Sequence, residues 1–332
     1  MGWLNKGAYR NMIFTNKILS IYKNKLLKRR DPDGRAHVFT KEEFDGLLSK
    51  EYAFSGDIGQ TLSAFLYYRG EPRRDRLIML DHGMGCGHNS YLKEIDVLTA
   101  NGYTVFTYDH TGTMLSGGED IGGFSQSLSD LDRAVRFVRS LPEYKDAELS
   151  VIGHSWGGFS TMNIPGLHPE ISHVVALSGF ISTKAIQNQV TKGLLRLYRP
   201  TLYNLERERL PDYSDYDGRV SLRNANTKAL IVHSKDDKTC LYNEHFIPLS
   251  KALSENGRVK FLTLDEKGHY PQYTKEAVKY KHAFNKDVKE RQKKRLIDTE
   301  EAKQKLLESY DFHKMHEQDM ELWQIIFEFL ES

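Results

Sequence analysis

The stretch Leu149-Ser-Val-Ile-Gly-His-Ser155-Trp-Gly-Gly158 constrains this chain more than any other. Val151 and Ile152 belong to an apolar, β-branched run of the kind that makes a short buried strand. That run stops at Gly153-His154-Ser155-Trp156-Gly157, the G-x-S-x-G spacing of a strand-to-helix turn. A serine at the tip of so tight a turn has a strained backbone and a hydroxyl lifted clear of the sheet. Positions 153 and 157 then lie close to neighbouring backbone, where glycine fits. The helix that follows points its N-terminal N–H groups at any negative charge forming beside the serine.

The rest of the chain predicts the sheet that such a turn needs. Residues 76–80 read as the first strongly buried strand, feeding Asp81-His-Gly-Met-Gly-Cys-Gly-His88. From there strand and helix alternate, the mark of a parallel sheet with crossover helices. Strands are expected over 104–108, 149–152, 173–177, 229–233 and 259–264, and helices over 91–100, 128–140 and from Trp156 onward. Upstream, strand-like runs at 37–39, 51–55 and 62–68 suggest an antiparallel edge hairpin. Residues 181–226 interrupt the alternation with a Leu- and Tyr-rich helical run followed by a charged one, and read as a cap or lid between two strands. Residues 275–310 read as a charged helical extension that covers little core. Met320, Trp323, Ile326, Phe327 and Leu330 are spaced for one apolar helix face docked on the sheet. The expected organisation is an arm over 1–34, a core over 35–180 and 227–332, and a cap over 181–226.

The arm is unusual. Residues 1–30 carry eight lysines and arginines and no acid, interleaved with apolar residues from Trp3 to Leu27. Asn16-Lys17 interrupts the apolar centre that a signal peptide needs, and Lys6 stands where myristoylation expects Ser or Thr. The favoured expectation is a helical arm that packs its apolar stripe on the core with its lysines in water. The other is a cationic amphipathic helix making a peripheral membrane contact. Asp31-Pro-Asp-Gly34 is a turn that ends the arm. A net charge of +2 over 332 residues argues against nucleic acid as the main partner. Two cysteines give no disulfide framework, so a reducing, cytoplasmic location is the default. Cys86 and Cys240 fall on loops near the predicted site and read as small buried thiols.

A serine hydroxyl needs a base, an orienting acid and an oxyanion hole, each at a strand end, in the chain order Ser, acid, His. Asp236 and Asp237 follow the strand at 229–233 directly. Among thirteen histidines, His269 combines a post-strand loop with the right chain order. Oxyanion donors are expected at the N–H of Trp156 and at the N–H of Met84 in His82-Gly-Met-Gly85.

Taken together, His82-Gly-Met-Gly85, Tyr108-Asp-His-Thr-Gly112 with Ser116-Gly-Gly118, Gly153-His-Ser-Trp-Gly157, Asp237 and His269 resemble the α/β-hydrolase family over about residues 50–270. The similar branch contains monoglyceride lipases, lysophospholipases and serine aminopeptidases. The loop from His233 to Cys240 is similar to that fold's H-G-x-x-D-x-x-V pattern, which selects Asp237. The resemblance implies a mostly parallel sheet with helices on both faces, Ser155 as nucleophile, His269 as base, Asp237 as its orienter, and Met84 and Trp156 as oxyanion donors. It implies no cofactor and no metal. Ser234 for the usual glycine, and Thr113-Met-Leu115 for the usual glycine-containing loop, depart from the pattern and bear on the substrate. The expected function is hydrolysis of a small-molecule carboxylic ester with apolar or aromatic groups, carboxylesterase- or monoacylglycerol-lipase-like. An aminopeptidase is the alternative, with Glu206, Glu208, Asp212, Asp215 and Asp217 available to hold a substrate ammonium. A non-catalytic scaffold is the third reading.

Overall fold

A computed structural model describes Lys17 and residues 19–332. Eight strands, β1 (Leu48–Ser55), β2 (Thr61–Tyr68), β3 (Arg76–Asp81), β4 (Val105–Tyr108), β5 (Glu148–His154), β6 (His173–Leu177), β7 (Lys228–Ser234) and β8 (Val259–Leu264), form one sheet. Their order is β1-β2-β4-β3-β5-β6-β7-β8. β1 and β2 form an antiparallel hairpin, β2 pairs antiparallel with β4, and the remaining pairings are parallel.

The helices are α1 (Leu92–Ala100), α2 (Gln126–Ser140), α3 (Trp156–Asn163), α4 (Thr183–Val190), α5 (Arg199–Arg209), α6 (Gly218–Asn224) and α7 (Tyr242–Ala252). α8 (Lys275–Lys293), α9 (Glu300–Glu308), α10 (Phe312–Met315) and α11 (Met320–Leu330) complete the chain. Side chains alternate across a strand, so each central strand feeds two cores. Leu77, Met79, Val151, Val174 and Ile231 point to the face covered by α2, α3 and α7. Ile78, Leu80, Ile152, Val175 and Val232 point to the face covered by α1 and α11. This two-sided burial explains why the strands read as continuous apolar runs.

Four expectations need correction. Residues 37–39 pair with no strand; Phe39 is buried against Phe44, His313 and His316, and a capping box between Thr40 and Glu43 turns the chain before a ladder can form. The extension at 275–310 does cover core, because Phe284, Ile297 and Leu306 bury themselves in the second face. On α11 the buried face is Leu322, Trp323, Ile326, Phe329 and Leu330, with Met320 exposed and Phe327 half-buried. Within 181–226, the leucines Leu194, Leu195 and Leu197 are exposed on a 3₁₀ turn (Gly193–Tyr198), not on an α-helix. Pro200 starts a new helix there and offers no N–H to continue an earlier one.

The described part of the arm lies against the core. Leu27 and Tyr22 are buried, whereas Lys23, Lys25 and Lys28 are exposed. The Ile121 N–H donates to the Leu27 carbonyl at 2.8 Å, and the Arg29 guanidinium donates to the Ser116 and Met114 carbonyls at 2.8 and 2.7 Å. Expectations for residues 1–16 and Ile18 fall outside the described residues. Among the described residues, no helix is long and apolar enough to cross a membrane.

Candidate active site

The turn after β5 has the strain its spacing predicts. Ser155 sits at φ 58°, ψ −108°, a backbone region that L-residues rarely occupy. Its N–H donates to the Leu177 carbonyl at 2.8 Å and its carbonyl accepts from Phe159 at 3.1 Å, which pins the turn between β6 and α3. A Cβ on Gly157 would run into the Asp81 carbonyl, and one on Gly153 into the Gly157 carbonyl. The two glycines are therefore what lets α3 begin so close to the sheet.

The structure brings the three expected side chains into one line. His269 Nε2 lies 2.8 Å from Ser155 Oγ, and His269 Nδ1 lies 2.8 Å from Asp237 Oδ2. Asp237 Oδ1 accepts from the Thr239 and Cys240 N–H groups at 2.7 and 3.0 Å. Burial alone would raise the Asp237 carboxyl; hydrogen bonds from His233 and His269 outweigh it and hold the group well below the usual carboxylate range. Asp236 faces elsewhere, accepting from Ser234 Oγ and the Gly268 N–H at 2.5 and 3.1 Å. With an ionised Asp237 accepting from Nδ1–H, His269 Nε2 is free to accept from the serine hydroxyl.

Met84 and Trp156 both line the cleft with Ser155, and among the described residues neither N–H has a protein acceptor. The Trp156 indole is buried and donates to the Phe124 carbonyl at 2.6 Å, fixing that part of the cleft wall. Cys240 is buried and Cys86 half-buried; burial raises both thiols, so neither is poised as a thiolate.

Two hydrogen-bonded networks under the site were not foreseen from the sequence. In one, the Gly83 N–H donates to the Tyr91 hydroxyl at 2.9 Å, and that hydroxyl donates to His154 Nδ1 at 2.7 Å. His154 Nε2 then donates to the His269 carbonyl at 2.7 Å. Burial, with the neighbouring His269 adding to it, lowers His154 to about 3, so the ring is neutral as this pattern requires. The backbones of the loop after β3, the serine turn and the loop after β8 are thereby tied through two side chains. In the other, His110 lies 2.7 Å from Asp81 and 3.2 Å from Asp130, all three fully buried. Burial opposes a charge on His110, but the two carboxylates win and raise it to about 9. The adjacency of His154 to Ser155 was a visible signal for the first network; Tyr91, 63 positions away, carried none.

A cleft of about 740 Å³ opens at Ser155 and His269, with Met84, Phe124, Phe180, Ile186 and Val190 forming apolar walls. The acids weighed as an ammonium site do not converge on it. Glu206 is buried and accepts from the Ser125 N–H at 2.6 Å, Asp215 pairs with Arg207, and Asp217 pairs with Arg219. Asp212, Asp215 and Asp217 line a separate pocket.

A family model described as "Serine aminopeptidase, S33" matches residues 72–229. No curated protein matches the sequence. Among solved structures, the esterase Pf2001 of Pyrococcus furiosus is 18% identical and aligns over 81% of this chain and 97% of its own, with a TM-score of 0.56. An acetyl xylan esterase from Paenibacillus sp. R4 is 17% identical over 83% of this chain and 93% of its own, with a TM-score of 0.55. A putative dipeptidyl aminopeptidase IV from Bacteroides ovatus is 18% identical over 75% of this chain and 36% of its own, with a TM-score of 0.54. Sheet order, the strained serine turn and the likeness to these solved structures together give the chain the α/β-hydrolase fold, and the family match over residues 72–229 agrees with it.

Proposed function

We propose that the chain is a serine hydrolase that cleaves carboxylic esters through an acyl-enzyme at Ser155. One observation carries the reading: the unbroken line from Ser155 Oγ through His269 to Asp237, at 2.8 Å on each side, opening into an apolar cleft. Ser155 Oγ attacks the ester carbonyl while His269 Nε2 takes its proton. The N–H groups of Met84 and Trp156 receive the oxyanion, and the imidazolium is stabilised by Asp237. His269 then protonates the departing alcohol, and water repeats the sequence on the acyl-enzyme. Esters with apolar or aromatic groups suit the Phe124, Phe180 and Ile186 walls, and α4 with the segment following it serves as the cap over them.

The "serine aminopeptidase" description of the family model favours a second reading. An aminopeptidase needs a carboxylate to hold the substrate ammonium. The cleft-lining acids Asp31 and Asp33 are each already paired, with Arg29 and Arg35. The test is a panel of p-nitrophenyl esters beside aminoacyl naphthylamides, with a fluorophosphonate probe. Ester turnover and labelling are expected, both falling by several orders of magnitude in Ser155→Ala with Tm nearly unchanged. Naphthylamide turnover exceeding ester turnover would establish the second reading, and labelling that survives in Ser155→Ala would refute the first.

A further inference from the structure

The cleft does not end at the nucleophile. Past His269 it continues beneath α8, where Gln272, Tyr273, Lys281 and His316 line the same cavity. The Lys281 ammonium donates to His316 Nε2 at 2.8 Å, while His316 Nδ1 donates to the Phe312 carbonyl at 2.9 Å, so this imidazole is neutral. The ammonium lies 5.0 Å from the centre of the Tyr270 ring and 5.6 Å from that of Tyr273. Among the described residues, no carboxylate oxygen comes within 4.0 Å of it. Glu94 stands behind Gln272, which donates to it at 3.1 Å, and burial favours its neutral form.

Lys281 is half-buried, and a cation turned into a cleft without a counter-charge is unfavourable unless something pairs with it. Burial lowers Lys281 to about 8, a strain that a bound anion would relieve. An ammonium has three donors, and the neutral imidazole of His316 takes one. The two aromatic faces hold the cation without neutralising it. Its distance from the chemistry is fixed, since Tyr270 directly follows His269 in the chain.

We propose that this end of the cleft is a subsite for an anionic group, a carboxylate or a phosphate monoester, carried by the substrate ester and held by Lys281. The proposal rests on the ester-hydrolase reading of Ser155 and narrows its substrate class to esters with one charged terminus. Lys281 is the recognising residue, and Tyr270, Tyr273 and His316 position it.

Two matched pairs of esters test it. Mono-4-nitrophenyl glutarate against 4-nitrophenyl pentanoate places the charge on the acyl side; 4-acetoxyphenyl phosphate against phenyl acetate places it on the alcohol side. In at least one pair the anionic member should have the higher kcat/KM, by about tenfold or more, as expected of a charge-assisted hydrogen bond. The pair that responds identifies the side of the ester that reaches Lys281. In Lys281→Met the anionic-to-neutral ratio should fall about tenfold, and Lys281→Arg should keep most of it. A ratio near one in both pairs, or one that survives in Lys281→Met, overturns the proposal. Calorimetric binding of phenyl phosphate and of glutarate to Ser155→Ala provides a readout without turnover. Loss of affinity on adding Lys281→Met supports the subsite, and unchanged or absent binding of both ligands refutes it. Should the anions bind through Lys281 while no ester is cleaved, the reading of Ser155 fails and the subsite stands.

Discussion

At the scale of single residues, the site rests on which of two adjacent acids meets His269. Asp237→Asn should lose far more activity than Asp236→Asn, up to about ten-thousand-fold, because an asparagine favours the wrong imidazole tautomer. Steady-state kinetics of the two variants checks this, and equal losses would contradict it. His110 allows a prediction about pH. Its pKa in the fold, raised to about 9, exceeds its ordinary value of 6.5, so the charged ring stabilises the protein fully below pH 6.5. That contribution is lost as pH rises through about 9. His110→Gln leaves Asp81 and Asp130 buried without their cation and should be strongly destabilising at pH 6, by roughly 3 kcal/mol or more. The gap in stability between the variant and the parent, followed by urea denaturation from pH 6 to 10, should narrow across that window. A constant gap would show that His110 is neutral throughout.

Among the elements, the described end of the arm, residues 27–30, is held more firmly than its basic sequence suggests. Leu27 is fully buried, worth roughly 2 kcal/mol, and residues 27–30 exchange backbone bonds with the loop at 112–121. Truncation of residues 1–30 should therefore lower Tm by at least about 4 °C and leave anionic-vesicle binding absent in both forms. Salt-sensitive flotation of the full chain, lost on truncation with no change in Tm, would instead place the arm on lipid. The segment at 181–226 divides differently from the expected cap. Leu222 of α6 belongs to the sheet-covering core, and Ser182 bridges Asp217, so the ends of the stretch between them stand side by side. We therefore place the cap, as a proposal, within residues 183–216, where Ile186 and Val190 reach the cleft.

For the whole molecule, the parallel sheet and the serine turn were legible because apolar runs, glycine spacing and chain order all point the same way. Lys281 was not legible. A single lysine turned inward on α8 has the same local surroundings in sequence as Lys279 or Lys286, and only packing against Tyr270 and His316 distinguishes it. Phe39 misled for a related reason: an aromatic in an extended run resembles a strand until a partner is sought. The position of α11 carries a further consequence. Arg76, at the start of β3, donates to the Leu330 carbonyl at 3.0 Å and to Glu331 at 2.6 Å, joining an early strand to the final helix. Ile78, Leu80, Ile152, Val175 and Val232 are covered in part by that helix. During synthesis these residues leave the ribosome long before their cover does, so one side of the nascent sheet stays wet and adhesive until residues 320–330 emerge. Closure of this face of the sheet thus waits on residues 320–330, about 250 positions after the β3 residues they cover.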